Sequence, residues 1–423
     1  MLRCSRWTVF GAVRGVSRLG AIGRKLSVIE ARARYRGAFG RLSGAAMRIL
    51  HTSDLHIGKL LHGHSLLDDQ RHVLGQITRA VVEQRPDAFI VAGDIFDRSI
   101  PPVGAVALLG EWLTGLRTDA PEVPIIIISG NHDNGRRLAW ASALLDPMIH
   151  LRGDPDDLEH PVHLTTRAGE AVEVWAMPFL WPGALPPPAG ESNSQEAAFR
   201  TGLNIISERR DETRTQVLVA HCFARGGAET DSERRLVGQA TMIDPVLFEP
   251  FDYVALGHLH RAQKAGRKAH YSGSPLAYSF SENSAQKCML AVEATRGAPP
   301  SVERLPLQPL RPVKVVETTL EQLLEHGSHD HLRDVYLSVH LTERTVHRDP
   351  MQRIRARFPY ALELRSPLVE LGEGAHLRVA SRTGRIDLGS DFESFWQQVE
   401  GADAPEAVKR AFELLRPDQG GLQ

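Results

Sequence analysis

"MRILHTSDLH", residues 47–56, decides how the rest of the chain is read. Ile49 and Leu50 open a short apolar strand that stops at Asp54, and His56 follows two residues later. Taken alone, an Asp and a His at this spacing mean little, because Asp caps turns and His packs in cores. The form then repeats four times: "FIVAGDIFD" (89–97), "IIIISGNHD" (125–133), "VLVAHCF" (217–223) and "VALGHLH" (254–260). Each is an apolar strand ending abruptly in Asp, Asn or His. Helical spacing of apolar residues fills the gaps, in "DDQRHVLGQITRAVVEQRP" (68–86) and "VGAVALLGEWLTGL" (103–116). This alternation predicts an α/β layered domain with a largely parallel inner sheet.

In such a sheet ligands bind outside the carboxyl ends of the strands. The five strand ends should therefore converge, although they span residues 54 to 260. Gly93, Gly130 and Gly257 suit tight turns and close backbone approach there. Asp54, His56, Asp94, Asn131, His221, His258 and His260 make seven candidate ligands, too many for one ion and enough for two with a shared carboxylate. Oxygen and imidazole donors without thiolate suit Mn²⁺, Fe²⁺ or Zn²⁺ and argue against a structural cysteine zinc site. Two cations about 3.5–4 Å apart would clamp a phosphoryl group and acidify a bound water. The residues thus point to metal-assisted hydrolysis of a phosphate ester.

Composition narrows the partners less. The 423 residues allow about two or three domains. Lys+Arg total 50 against 51 Asp+Glu, so net charge identifies no partner, and a local basic patch would suffice for nucleic acid. Cys4, Cys222 and Cys288 lack CxxC spacing, which fits a reducing cytoplasm; Cys222 reads as sheet filler. No apolar run approaches the roughly 20 residues of a membrane span.

The ordered motifs D-x-H, G-D-x-x-D, G-N-H-D, a lone His and G-H-x-H resemble the calcineurin-like metallophosphoesterase superfamily. That resemblance implies a β-sandwich flanked by helices and two metal ions. It implies that Asp54, His56 and His260 bind the first ion, that Asn131, His221 and His258 bind the second, and that Asp94 bridges them. His132 would protonate the leaving oxygen or stabilise the transition state, oriented by the carboxylate of Asp97. Protein phosphatases of the superfamily carry Arg-Gly after the second Asp; here Ser99 follows Arg98, a departure from them.

Longer segments, "MRILHTSDLHIGKLLHGHSLLDDQRHVL", "DAFIVAGDIFDRSIPP", "VALGHLHRAQ" and "HYSGSPLAYSFSE", resemble the SbcD family of nuclease subunits, with similarity from Met47 to the C-terminus. The resemblance implies an ATP-dependent 3′→5′ exonuclease on duplex DNA and an endonuclease on single strands and hairpins. Mn²⁺ would be the metal, and an SbcC-like ABC-type ATPase the partner, in a complex containing two copies of each. The competing readings are a metallophosphoesterase acting on a small phosphodiester or cyclic nucleotide, and a binding subunit that has lost its chemistry.

The domains expected are 47–285 for the nuclease, 286–385 for an α+β cap and 386–423 for a helical tail. The cap is read from "VKVVETTLEQLLEHG", "DVYLSVHLTE" and "MQRIRARFPYALELRSP" as strand-helix-strand-helix-strand. In the tail, Phe395, Trp396, Phe412 and Leu415 would face the ATPase or pack on the chain's own core. Arg98, Arg261 and Lys264 are candidate DNA contacts, with His62, His64 and Arg71 beside them, each set against an ordinary solvated charge. "EHGSHDH" (325–331) reads as a solvated loop. Residues 1–46 hold ten Lys+Arg and one acid, Glu30. They read either as a targeting segment or as translated sequence upstream of a start at Met47. The absence of an apolar core and of a small-residue cleavage site favours the latter.

Overall fold

The computed structural model describes residues 46–140, 142–233, 242–325, 327–367, 396, 404–406 and 408–410. The basic segment 1–45 and the tail residues Phe395, Phe412 and Leu415 lie outside the described residues; Trp396 lies within them and is half-buried. The chain divides into two compact units, one ending at Val313 and the other beginning at Lys314.

The first unit is a sandwich of two six-stranded sheets. One runs in the order Ser301–Pro306, Cys288–Ala294, Met47–Thr52, Ala88–Ala92, Ile125–Ile128, Ile149–Arg152. The other runs Gln263–Lys264, Ala269–Tyr271, Tyr253–Gly257, Thr215–His221, Ala171–Met177, Val162–Thr165. Inner pairings are parallel, as in Leu50 opposite Phe89 and Val217 opposite Tyr253; antiparallel strands close three of the four edges, and Ile149–Arg152 closes the fourth in parallel. Strands buried on both faces read as unbroken apolar runs, and all four isoleucines of Ile125–Ile128 are buried. Between the sheets pack Ile49, Ile90, Ile126 and Ile128 against Val174, Val217, Val219 and Tyr253. The helix Gln195–Arg209, capped by Ser194 on the Ala197 amide, covers the outer face of the second sheet with Phe199 and Ile206. The helix Val103–Asp119 sets Trp112 edge-on to Phe89 of the first sheet. Cys222 lies buried in the core under Gln195–Arg209.

The boundary expected after residue 285 falls inside the first sheet. Cys288–Ala294 runs antiparallel to Met47–Thr52, from Ala294 opposite Met47 to Leu290 opposite His51. Cys288, Leu290, Val292 and Ala294 enter the inter-sheet core. The strand at residue 47 has a second edge whose amides and carbonyls need partners, and residues 288–306 supply them. Local pattern announces a strand, not the sheet it joins.

The second unit has a three-stranded sheet in the order Val313–Thr318, Tyr336–Leu341, Ala361–Arg365, with helices Leu320–Leu324 and Pro350–Arg357. This is the strand-helix-strand-helix-strand order expected. Thr319 and Gln322 close a capping box at the first helix, and Leu323, Leu337, Val339, Ile354 and Phe358 form the core. In 325–331, Asp330 pairs with Arg357 at 3.1 Å.

The sandwich also buries a polar bridge. His51 Nδ1 lies 2.8 Å from the Tyr253 hydroxyl of the opposite sheet, and His270 stacks on that ring. Burial pushes His51 from 6.5 down to about 3 and His270 down to about 4. Both are neutral when folded, so the unfolded chain binds more protons below pH 6.5, and stability present above that pH is lost as pH falls towards 4. About 1.4 kcal/mol per pH unit should go for His51 alone. Urea unfolding in EDTA at pH 7.5 and 5.5 measures this: His51→Gln should flatten the pH dependence, and an unchanged slope would reject it.

Candidate metal centre

Three of the five strand ends leave the sheets through backbone that side chains rarely adopt. Asp54 (φ 53°), His56 (φ 43°), Asp94 (φ 49°) and His258 (φ 111°) all have positive φ. Such conformations persist only where surrounding structure over-determines them. Two glycines allow the close approach this needs. A Cβ on Gly130 would stand 2.1 Å from Asp94 Oδ1, and one on Gly257 would stand 1.8 Å from the Ala92 carbonyl oxygen.

Donor atoms of Asp54, His56 and His260 lie within 4.8 Å of one another, and those of Asp54, Asp94 and His221 likewise. His56 Nε2 faces His260 Nε2 at 3.1 Å. On the other side, Asn131 Oδ1 is 3.0 Å from both His221 Nε2 and His258 Nδ1. Asp94 Oδ2 stands between the two groups, 3.6 Å from His56 Nε2 and 3.6 Å from His221 Nε2. All seven candidate ligands are buried.

The protons are largely committed elsewhere. His221 Nδ1 donates to the Ala92 carbonyl at 2.9 Å, leaving Nε2 a bare acceptor. That acceptor faces another, Asn131 Oδ1, a repulsive contact that a shared cation would relieve. Burial holds His221, His56 and His258 below the usual histidine range, His258 at about 3, so their lone pairs are free. Burial and the charge of Asp94 push the Asp54 carboxyl well above its usual range. Burial opposes ionisation of Asp94 too, but its electrostatic interactions with the His221 and His132 side chains and the hydrogen bond from the His132 amide outweigh it and lower that group. No Lys or Arg pairs with either carboxylate among the described residues, and two buried acids without a cation are costly. His56 Nδ1 and Asn131 Nδ2 also lack hydrogen-bond partners. The donor set fits divalent cations.

His132 borders this cluster, its ring 4.7 Å from that of His56 and its Nε2 4.0 Å from Asp94 Oδ2. Its Nδ1 donates to the backbone carbonyl of Asp97 at 2.8 Å, and its amide donates to Asp94 Oδ1 at 2.9 Å. The expected orientation by the Asp97 carboxylate is therefore corrected: the peptide oxygen of Asp97 does it. The carboxylate instead accepts from Lys59 Nζ at 2.8 Å, a charge-assisted bond.

Several supporting residues escaped sequence reasoning. Asp133 accepts from the amides of Ile95, Phe96 and Gly130, tying two strand-end loops together. Burial and the Asp94 charge push its carboxyl up to about 7 against those bonds. Behind His260, Ser232 Oγ lies 2.6 Å from Nδ1 and 2.7 Å from Glu282 Oε1, and buried Lys287 bonds Glu282 and the His260 carbonyl. Gln70 holds the His56 carbonyl at 2.7 Å from the first helix. The final Asp of G-N-H-D was a visible signal for Asp133. Nothing local marks Lys287 or Gln70 as buried.

The candidate DNA contacts scatter by comparison. Arg98, Arg261 and Lys264 are exposed, with Arg98 3.7 Å from Asp97. Arg71 pairs with Glu111, and the ring of His62 lies 5.3 Å from Phe280.

Comparison with known proteins agrees with this geometry. The calcineurin-like phosphoesterase profile matches residues 47–262, and a profile described as the type 5 capsule protein repressor C-terminal domain matches residues 307–399. A Staphylococcus saprophyticus protein, named as the D component of the SbcCD nuclease, is 32% identical over 84% of this chain and 94% of its own length. A Staphylococcus epidermidis protein of the same name is 28% identical over 88% of this chain and 100% of its own. No helix among the described residues is long and apolar enough to cross a membrane.

Proposed function

We propose a DNA-cleaving function for this chain, which belongs to the calcineurin-like phosphoesterase family and to its SbcD nuclease members. The observation that carries the reading is Asp94 standing between Asp54–His56–His260 and Asn131–His221–His258. Asp54, His56, Asp94 and His260 would hold one divalent cation, and Asp94, Asn131, His221 and His258 would hold the other. When bound, the cations supply charge neutralisation on the phosphodiester and acidification of the attacking water. Mn²⁺ is the ion we assign, on the mixed carboxylate, amide and imidazole donors.

The chain's own residues do the rest. The Ala92 carbonyl and Ser232 fix the rings of His221 and His260 through the bonds described above. His132, its Nδ1 proton tied to the Asp97 carbonyl, turns Nε2 towards the site and places a proton on the leaving oxygen. Lys59 neutralises Asp97 beside it.

The substrate is duplex DNA cut 3′→5′ and single-stranded or hairpin DNA cut internally, with an SbcC-like ABC-type ATPase as partner. The second unit serves as the cap, Trp396 and its tail neighbours dock the ATPase, and two copies of each chain assemble. Arg98, Arg261 and Lys264, exposed near the motifs, meet backbone phosphates. A cytoplasmic site of action follows from DNA as substrate and agrees with the free thiols of Cys222 and Cys288.

Incubation of linear duplex and hairpin DNA with Mn²⁺, alone and with the ATPase plus ATP, tests the proposal. Cleavage that disappears in EDTA and returns with Mn²⁺ is the outcome expected. Turnover of bis-p-nitrophenyl phosphate with no cut DNA under any condition would instead assign a small phosphodiester.

A further inference from the structure

A short aromatic ladder leads from the metal centre towards solvent. The ring of Phe179 lies 6.4 Å from that of His258, nearly parallel at 28°, and 6.0 Å from that of His221. The Phe179 amide is fixed to the Ser129 carbonyl at 2.9 Å, so this ring is tied to the strand end that carries Asn131 and His132. Trp181 packs edge-on against Phe179 with centroids 4.9 Å apart. Phe179 is 7% exposed, whereas Trp181 is 44% exposed. The Trp181 indole N–H has no hydrogen bond among the described residues. Phe223 flanks His258 at 6.1 Å. A large rigid ring thus packs on one buried aromatic, Phe179, with much of its surface in water, within two ring contacts of two candidate metal ligands.

We infer that Trp181 is a nucleobase platform: it stacks a base of the strand whose phosphodiester lies at the metal centre, close to the scissile bond. This rests on the nuclease reading and deepens it. A phosphodiester held among His221, His258 and Asn131 brings its neighbouring nucleotides past Phe179, and every base presents a face able to stack on indole without sequence preference. A base seated there has left its own helical stack. The platform therefore recognises frayed ends, hairpin loops and single strands, and gives an intact duplex interior nothing to stack.

The test combines protein and substrate changes. Single-turnover cleavage is measured with wild type, Trp181→Ala and Trp181→Phe on hairpin and end-frayed DNA carrying one abasic nucleotide, moved stepwise past the cleaved bond. In wild type, one abasic position should slow cleavage by about 5- to 100-fold, as loss of one stacked base does. Trp181→Ala should cut intact DNA equally slowly and show no further loss at that position. Trp181→Phe should recover most of the rate and the sensitivity. Losses that multiply in Trp181→Ala, or a wild type indifferent to every abasic position, overturn the platform while leaving the nuclease reading intact. A wild type that turns over bis-p-nitrophenyl phosphate but cuts no DNA overturns both. Should Trp181→Ala fail to fold, the abasic scan on wild type alone still decides.

Discussion

His132→Gln should lower single-turnover DNA cleavage by about 10²- to 10⁴-fold while leaving two equivalents of Mn²⁺ bound. The argument is geometric. His132 borders both ligand groups but belongs to neither, with Nε2 4.0 Å from Asp94 Oδ2. Its Nδ1 proton is held by a peptide carbonyl, so Nε2 is the nitrogen that exchanges a proton with substrate. Gln fills similar space and cannot deliver a proton. Because the Asp97 peptide, not its carboxylate, orients the ring, Asp97→Asn should cost far less than His132→Gln. It removes the Lys59 pair and keeps the carbonyl. Metal stoichiometry by elemental analysis after gel filtration, read beside the rates, checks the assignment. Loss of bound metal in His132→Gln would make it a ligand, and equal losses in the two variants would restore a carboxylate-driven role for Asp97.

Asp94→Asn should abolish binding of both cations, where Asp54→Asn abolishes one. Asp94 Oδ2 is equidistant from His56 Nε2 and His221 Nε2 at 3.6 Å. The substitution removes the one charge common to both groups. It keeps an oxygen for the His132 amide, so the loop has reason to stay in place. An affinity loss of at least about 100-fold at each position is expected, since replacing groups that merely support a ligand already costs about 10- to 100-fold. Calorimetric titration with Mn²⁺ gives the stoichiometry, and a thermal midpoint that no longer rises with Mn²⁺ gives an independent reading. Retention of one tight equivalent in Asp94→Asn would show that Asp94 serves only one ion.

Much of this site was legible in one dimension because strands buried on both faces leave a plain trace. A run such as Ile125–Ile128 is apolar throughout, and its end stands out wherever Asn131 and His132 interrupt it. The second unit was legible for the same reason: alternating strand and helix texture survives from residue 313 to 365. Other features were not. Cys288–Ala294 looked like the start of a separate domain, yet it pairs with Met47–Thr52, and register between strands some 240 residues apart has no local signature. Lys287 and Gln70 resemble any surface residue in sequence. Only the enclosure of Lys287 by Glu282 and the His260 carbonyl makes it a buried prop.

By itself, the sequence determined which residue types stand at each strand end, and hence the chemistry open to the site: carboxylate, amide and imidazole in a set suited to divalent cations. Tertiary structure decided how they divide. Asp94 stands between two groups because the left-handed backbone at Asp54, His56 and Asp94 turns their side chains inward, and because Gly130 and Gly257 let neighbouring strands approach without a Cβ. It also decided that His132 leans on a peptide oxygen and that half-exposed Trp181 packs on Phe179. Contacts of this kind depend on distances across folded loops, and spacing along a chain does not carry them.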